Sequence, residues 1–85
     1  MEQPTLTNPE ESREYGVQPL DALMQEAGLD NHAMVVASGD DHLTHKMVAK
    51  ARGGRFLSVH VRLKVLRAFN AATRSERALK ELFNY

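Results

Sequence analysis

The chain has no cysteine and no tryptophan, and aromatic residues make up only 6% of its 85 positions. Without cysteine, it has neither disulfide bonds nor thiolate metal ligands. No apolar run approaches the roughly 20 residues that a membrane-spanning helix needs. The first residues are polar and acidic, which is not the pattern of a secretory signal. The sequence therefore predicts a cytoplasmic protein with no membrane segment.

A chain of this length holds one small domain at most. Domains near this size bury only about 60% of the surface that the unfolded chain exposes, so we expect modest stability. A second copy of the chain would add buried surface.

The formal net charge of zero conceals a strong division of charge along the chain. Residues 1–42 hold nine acidic residues and one basic residue, Arg13, a balance of −8. Residues 43–85 hold ten basic residues and two acidic ones, a balance of +8. This asymmetry indicates either a polyanionic partner for the second half or an acidic segment that folds against a basic one.

Residues 1–17 carry Pro4, Pro9 and Gly16 and show almost no apolar periodicity. Ordering them would cost entropy and bury little, so we predict a flexible acidic tail ahead of a domain formed by residues 18–85.

Five helical patterns follow the tail, and no strand-like alternation competes with them. The first runs from Pro19 to the stop at Gly28, and the second follows Asp30 as N-cap. The third spans 44–52, with Thr44 as its cap, and the fourth covers about 58–73. A last helix spans 75–84, with Ser75 as its cap. The predicted fold class is a small all-α bundle of four to five short helices.

Residues 19–73 resemble the lambda-repressor-like (XRE-type) helix-turn-helix family. The residues that carry this resemblance are Leu29-Asp30-Asn31, Met34-Val35, Gly39, Leu43-Thr44, Val48, Ala51 and Gly54-Arg55. The chain departs from the family pattern in two places. Asp40, Asp41 and His42 lengthen the turn before the third helix, and Arg52 occupies a position that is often acidic.

The resemblance implies that the third helix enters the major groove of duplex DNA. The base-facing residues would then be His45, Lys46, Ala49 and Lys50, where lysine can bond guanine acceptors and alanine can meet a thymine methyl group. The expected phosphate contacts are Asn31, Thr44, Arg52, Gly53, Gly54 and Arg55. The alternative interpretation of the same residues is an ordinary solvated helix face.

Two other kinds of site receive little support from the sequence. Asp40, Asp41, His42 and His45 have the spacing of a divalent-metal site, but Gly-Asp-Asp is also common turn chemistry, so we expect no metal and no cofactor. No glycine-rich phosphate loop, nucleophile elbow or cysteine nucleophile is present, so we expect no enzyme. Arg62 lies in the apolar arc of the fourth helix, where its guanidinium needs an acidic partner or an exit to solvent. We expect an ion pair with Asp21 or Glu26.

The sequence thus favours a small transcriptional-regulator type of protein that binds double-stranded DNA. We expect a homodimer through an apolar stripe on the last helix, formed by Leu79, Leu82 and Phe83. The alternative is a non-catalytic protein–protein interaction module on the same fold, in which the acidic tail and the basic half mediate contacts or mask one another.

Overall fold

Residues 14–85 are described by a computed structural model, in which they form five α-helices and no β-strand. The predicted all-α class is therefore confirmed. The prediction of a flexible acidic tail over residues 1–17 lies, for residues 1–13, outside the described residues. The helices are α1 (Pro19–Glu26), α2 (Asn31–Ser38), α3 (His45–Gly53), α4 (Val59–Thr73) and α5 (Leu79–Leu82), with a 3₁₀ turn (Gly39–Asp41) between α2 and α3.

The first three helices begin where local signals place them. Pro19 opens α1, and the Asp30 carboxylate accepts the Ala33 N–H at 2.8 Å to cap α2. The Thr44 hydroxyl oxygen accepts the Met47 N–H at 3.1 Å at the start of α3. These bonds satisfy main-chain donors that the first helical turn leaves without partners. The predicted caps Asp30 and Thr44 are confirmed.

The last helix is shorter than predicted, because α5 is a single turn of four residues. Ser75 does not cap it; its hydroxyl donates to the Asn70 side-chain oxygen at 3.1 Å, within the connection after α4. The capping contact comes from Glu81, whose carboxylate accepts the Ala78 N–H at 2.8 Å and thereby lowers the pKa of Glu81.

The core lies between α4 and the other helices, since α4 packs against α2, α3 and α5. Its buried side chains include Leu20, Met24, Met34, Val48, Val65, Phe69, Leu82 and Phe83. Leu82 and Phe83 were predicted to form an exposed dimer stripe with Leu79. That prediction is wrong for these two residues, because a domain of this size needs both to complete its own core.

Residues 14–17, predicted as part of a flexible tail, are instead held against the end of α3. The Tyr15 N–H donates to the Gly54 carbonyl at 2.8 Å, and the Gln18 N–H donates to the Arg52 carbonyl at 3.0 Å. The Gln18 side chain is 1% exposed, and its amide oxygen accepts the Asn84 N–H at 2.7 Å. Gln18 therefore joins the beginning of the described chain to its last residues.

Tyr85 extends this junction by stacking on Tyr15, with ring centroids 4.1 Å apart. Its hydroxyl donates to the Arg55 carbonyl at 3.1 Å and accepts the Leu57 N–H at 3.0 Å. Burial raises the pKa of the Tyr85 hydroxyl. Both ends of the described chain are thus anchored beside the loop that follows α3.

Arg62 also belongs to this junction, so the predicted ion pair with Asp21 or Glu26 is wrong. Its guanidinium lies 4.6 Å from the centre of the Tyr85 ring and donates to the Leu57 carbonyl at 3.1 Å. It also donates to the main-chain oxygen of Tyr85 at 2.9 Å. Main-chain oxygens and an aromatic face therefore contact the guanidinium in place of Asp21 or Glu26.

Candidate nucleic-acid interface

The outer face of α3 consists of the four residues that were predicted to face DNA bases. His45, Lys46, Ala49 and Lys50 are all exposed, whereas Val48 and Ala51 on the opposite side are buried. The helical period of 3.6 residues separates these two faces, and the core fixes which of them points outward.

Neither Lys46 nor Lys50 takes part in an ion pair within residues 14–85. One helical turn separates them, so their charges lie side by side on the same face. The outer face of α3 therefore presents two cations that the described part of the fold does not neutralise.

Three of the predicted phosphate contacts lie at the surface around α3. Thr44 is exposed, and its hydroxyl proton remains able to donate while the oxygen caps the helix. Gly53 is exposed at the other end of α3. Arg55 follows in the next loop, 44% exposed and 3.9 Å from the Glu14 carboxylate.

Arg52 and Asn31 were predicted to contact phosphate, but the structure uses them to join three helices. The Arg52 guanidinium donates to the Asp21 carboxylate of α1 at 2.6 Å and to the Asn31 side-chain oxygen of α2 at 2.8 Å. A charge-assisted pair of this length is a strong one, so these groups are committed within the fold.

Gly54 was also predicted to offer its N–H to phosphate, and it is buried instead. Its N–H donates to the Lys50 carbonyl at 3.0 Å, and its φ of 90° ends α3 in the left-handed region. The main chain of Gly16 lies so close that a Cβ at residue 54 would collide with it. The docked segment 14–17, which sequence patterns did not reveal, covers this predicted contact.

An open groove runs along the side of α3 that faces α1. Its volume is about 300 Å³. The groove is lined by Val17, Asp21, Asn31, Ala49, Arg52 and Gly53.

The lengthened turn before α3 packs onto α4 through Asp41. Its carboxylate accepts two bonds from the Arg67 guanidinium, at 2.7 and 3.1 Å, and this pairing lowers the pKa of Asp41. His42 adopts a left-handed conformation with φ of 60°. Asp41 is thereby held against α4.

The four residues with metal-site spacing do not form a metal centre. Asp41 is bonded to Arg67, and His45 faces a residue that the sequence did not single out for this site, His32. Among residues 14–85, no group of three or more potential metal ligands converges.

His32 and His45 join α2 to α3 at the surface. The Nδ1 atom of His32 lies 3.3 Å from the Nε2 atom of His45, and both residues are exposed. Their separation of thirteen positions in the sequence gave no signal of this contact, which depends on how α2 and α3 pack.

Comparisons with known proteins do not identify a relative. No family model matches the chain, and no curated protein or solved structure matches it either. Within the described residues, no helix is both long and apolar enough to cross a membrane.

Proposed function

We propose that the protein binds double-stranded DNA through the outer face of α3, as a small regulator of the helix-turn-helix type. The observation that carries this proposal is the exposed pair Lys46 and Lys50, which has no ion-pair partner in residues 14–85. A polyanion such as DNA supplies the missing negative charge and releases counterions when it binds.

The chemistry of this face favours affinity over strict sequence selection. Lys46 and Lys50 can donate to phosphates or to guanine acceptors, and Ala49 between them allows close approach to a thymine methyl group. Neither lysine has the planar fork with which arginine recognises guanine. Arg52, which has that fork, is bonded to Asp21 and Asn31. We expect broad duplex binding with modest sequence preference.

The packing of the acidic residues supports the same proposal. Asp21 beside α3 is paired with Arg52, and Asp41 in the turn is paired with Arg67. The Asp21 carboxylate, which contacts α3, and the Asp41 carboxylate, which precedes α3 in the sequence, are thus each neutralised by an arginine. This reduces their repulsion of a phosphate backbone.

The test is a fluorescence-polarisation titration of random-sequence duplex DNA at low and near-physiological salt. We expect affinity to fall steeply as salt rises. The double variant Lys46→Ala/Lys50→Ala should weaken binding. Where both lysines neutralise a phosphate it should also reduce the salt slope by about 2, because each lost phosphate contact removes about 0.9 from it.

The matched control is Lys64→Ala/Lys80→Ala, which removes two positive charges from α4 and α5. We expect this control to retain most of the affinity. Equal loss in both double variants would show that only net charge matters, and absence of binding at low salt would remove the DNA proposal.

Exposed apolar side chains favour a second candidate, a protein–protein interaction module. Val36 on α2 is 66% exposed and Val59 on α4 is 53% exposed. A chain that fails to bind DNA at low salt would favour this candidate. A homodimer remains part of the DNA proposal, but its interface would have to use surface other than the buried Leu82 and Phe83.

A further inference from the structure

The contact between His32 and His45 has the geometry of a hydrogen bond between two imidazoles. The ring centroids are 5.5 Å apart, the facing nitrogens are 3.3 Å apart, and the ring planes differ by only 17°. Because the centroids are much farther apart than the nitrogens, the rings meet edge to edge. The two nitrogens therefore face each other across one hydrogen bond.

A hydrogen bond between two ring nitrogens holds a single proton. The pair can keep this bond when both imidazoles are neutral or when one of them is charged. A second added proton would place an N–H on each facing nitrogen, and the bond would be lost. The protonation state of the pair is thus coupled to its geometry.

Charged groups lie on both helices that carry the pair. Lys46 and Lys50 are on the same helix as His45, and Asp30, which caps α2, lies two positions before His32 in the sequence. His42 in the preceding turn is a further titratable group. Two acidic groups of neighbouring elements are paired elsewhere, Asp21 with Arg52 and Asp41 with Arg67, and Asp40 in the turn before α3 is exposed.

We propose that His32 and His45 form a proton-coupled phosphate contact, so that duplex DNA binds more tightly as the pH falls. This inference rests on the DNA-binding function proposed above and adds His32 to its contact residues. A phosphate beside the pair stabilises the imidazolium form and accepts its N–H groups. Imidazole changes its charge between about pH 5 and 8, so the effect falls in an accessible range.

The sign follows from linkage between proton binding and DNA binding. A group that gains a proton on binding makes the affinity decrease as the pH rises. One proton taken up can change the affinity by as much as about tenfold for each pH unit. We expect binding at pH 8 to be about three- to tenfold weaker than at pH 6, at constant ionic strength.

The experiment measures duplex DNA binding from pH 6 to pH 8 for the full chain and for His32→Gln and His45→Gln. The matched control is His60→Gln, which removes an exposed histidine from α4. Circular dichroism at both pH values checks the fold of each variant. Calorimetry in two buffers with different ionisation enthalpies measures proton uptake directly on the unaltered protein.

The expected result is a steep pH dependence for the unaltered chain and for His60→Gln, and a flattened one for His32→Gln and His45→Gln. Salt-dependent DNA binding with the same pH slope in His32→Gln, or with no proton uptake, would overturn this inference alone. Absence of DNA binding even at pH 6 and low salt would overturn both this inference and the DNA-binding proposal.

Discussion

Replacement of Gln18 by methionine tests whether one buried amide holds the two ends of the domain together. The Gln18 side chain is 1% exposed and bonds three main-chain groups. Its amide N–H groups donate to the Gly16 carbonyl at 2.9 Å and to the Tyr15 carbonyl at 3.4 Å, and its amide oxygen accepts the Asn84 N–H at 2.7 Å. Methionine has a similar volume and flexibility but can make none of these bonds. Gln18→Met therefore removes the hydrogen bonds without opening a cavity.

The expected loss follows from the two main-chain groups whose short bonds to Gln18 are removed, the Gly16 carbonyl and the Asn84 N–H. A buried polar group left unsatisfied costs about 1–3 kcal/mol. Gly16 and Asn84 are exposed residues whose bonds to Gln18 are partly buried, so we use the lower half of that range for each and expect a total loss of about 2–4 kcal/mol. In a domain of this size, each kcal/mol shifts the melting temperature by about 4–8 °C.

The assay is urea denaturation followed by circular dichroism and by tyrosine fluorescence, which reports on the stacked Tyr15 and Tyr85 because the chain has no tryptophan. The matched control is Gln25→Met on the exposed side of α1, which removes one surface hydrogen bond to Asp21. We expect the control to change stability by less than about 0.5 kcal/mol. A similarly small effect of Gln18→Met would refute the argument that Gln18 joins the two ends.

Two further predictions concern the surroundings of α3. Gly54→Ala should lower the free energy of unfolding in urea by about 2–4 kcal/mol, because φ is 90° there and the new Cβ would meet the Gly16 main chain. The control Gly53→Ala has open space at its Cβ and should change the free energy of unfolding by less than about 1 kcal/mol. Equal effects of the two substitutions would contradict this explanation. Asp41→Asn should lower the melting temperature at pH 7, because Arg67 holds the pKa of Asp41 below its ordinary value of 3.8. A carboxyl group with a lowered pKa stabilises the fold above its unfolded-state pKa and loses that contribution as the pH falls, so the difference from the unaltered protein should vanish in melts at strongly acidic pH. A difference that persists there would show that charge pairing is not its cause.

Several features of the fold could be predicted because their causes are local. Apolar side chains recur at helical spacing, and Asp30 and Thr44 offer side-chain oxygens where a helix must begin. The same periodicity separates the exposed lysines of α3 from its buried residues Val48 and Ala51. For that reason the amino-acid sequence alone predicts which residues make up the outer face of α3.

Local patterns misled where a long-range contact changes the role of a residue. Ser75 has the chemistry of a helix cap, but its hydroxyl bonds Asn70 and α5 begins only at Leu79. Arg52 has the charge expected for a phosphate contact, but its guanidinium donates to the carboxylate of Asp21, thirty-one positions earlier. A capping or charge pattern shows which contacts a side chain is able to make, and only packing decides which of those contacts form.

The sequence by itself determined the all-α class, the order of the first four helices and the division of charge between the two halves of the chain. Tertiary structure alone decided that segment 14–17 covers Gly54, that Leu82 and Phe83 complete the core, and that His32 meets His45. The physical reason is the range of the forces involved. Helix formation and capping act within about four residues. These other contacts join residues that are distant in the sequence and exist only after the helices have packed.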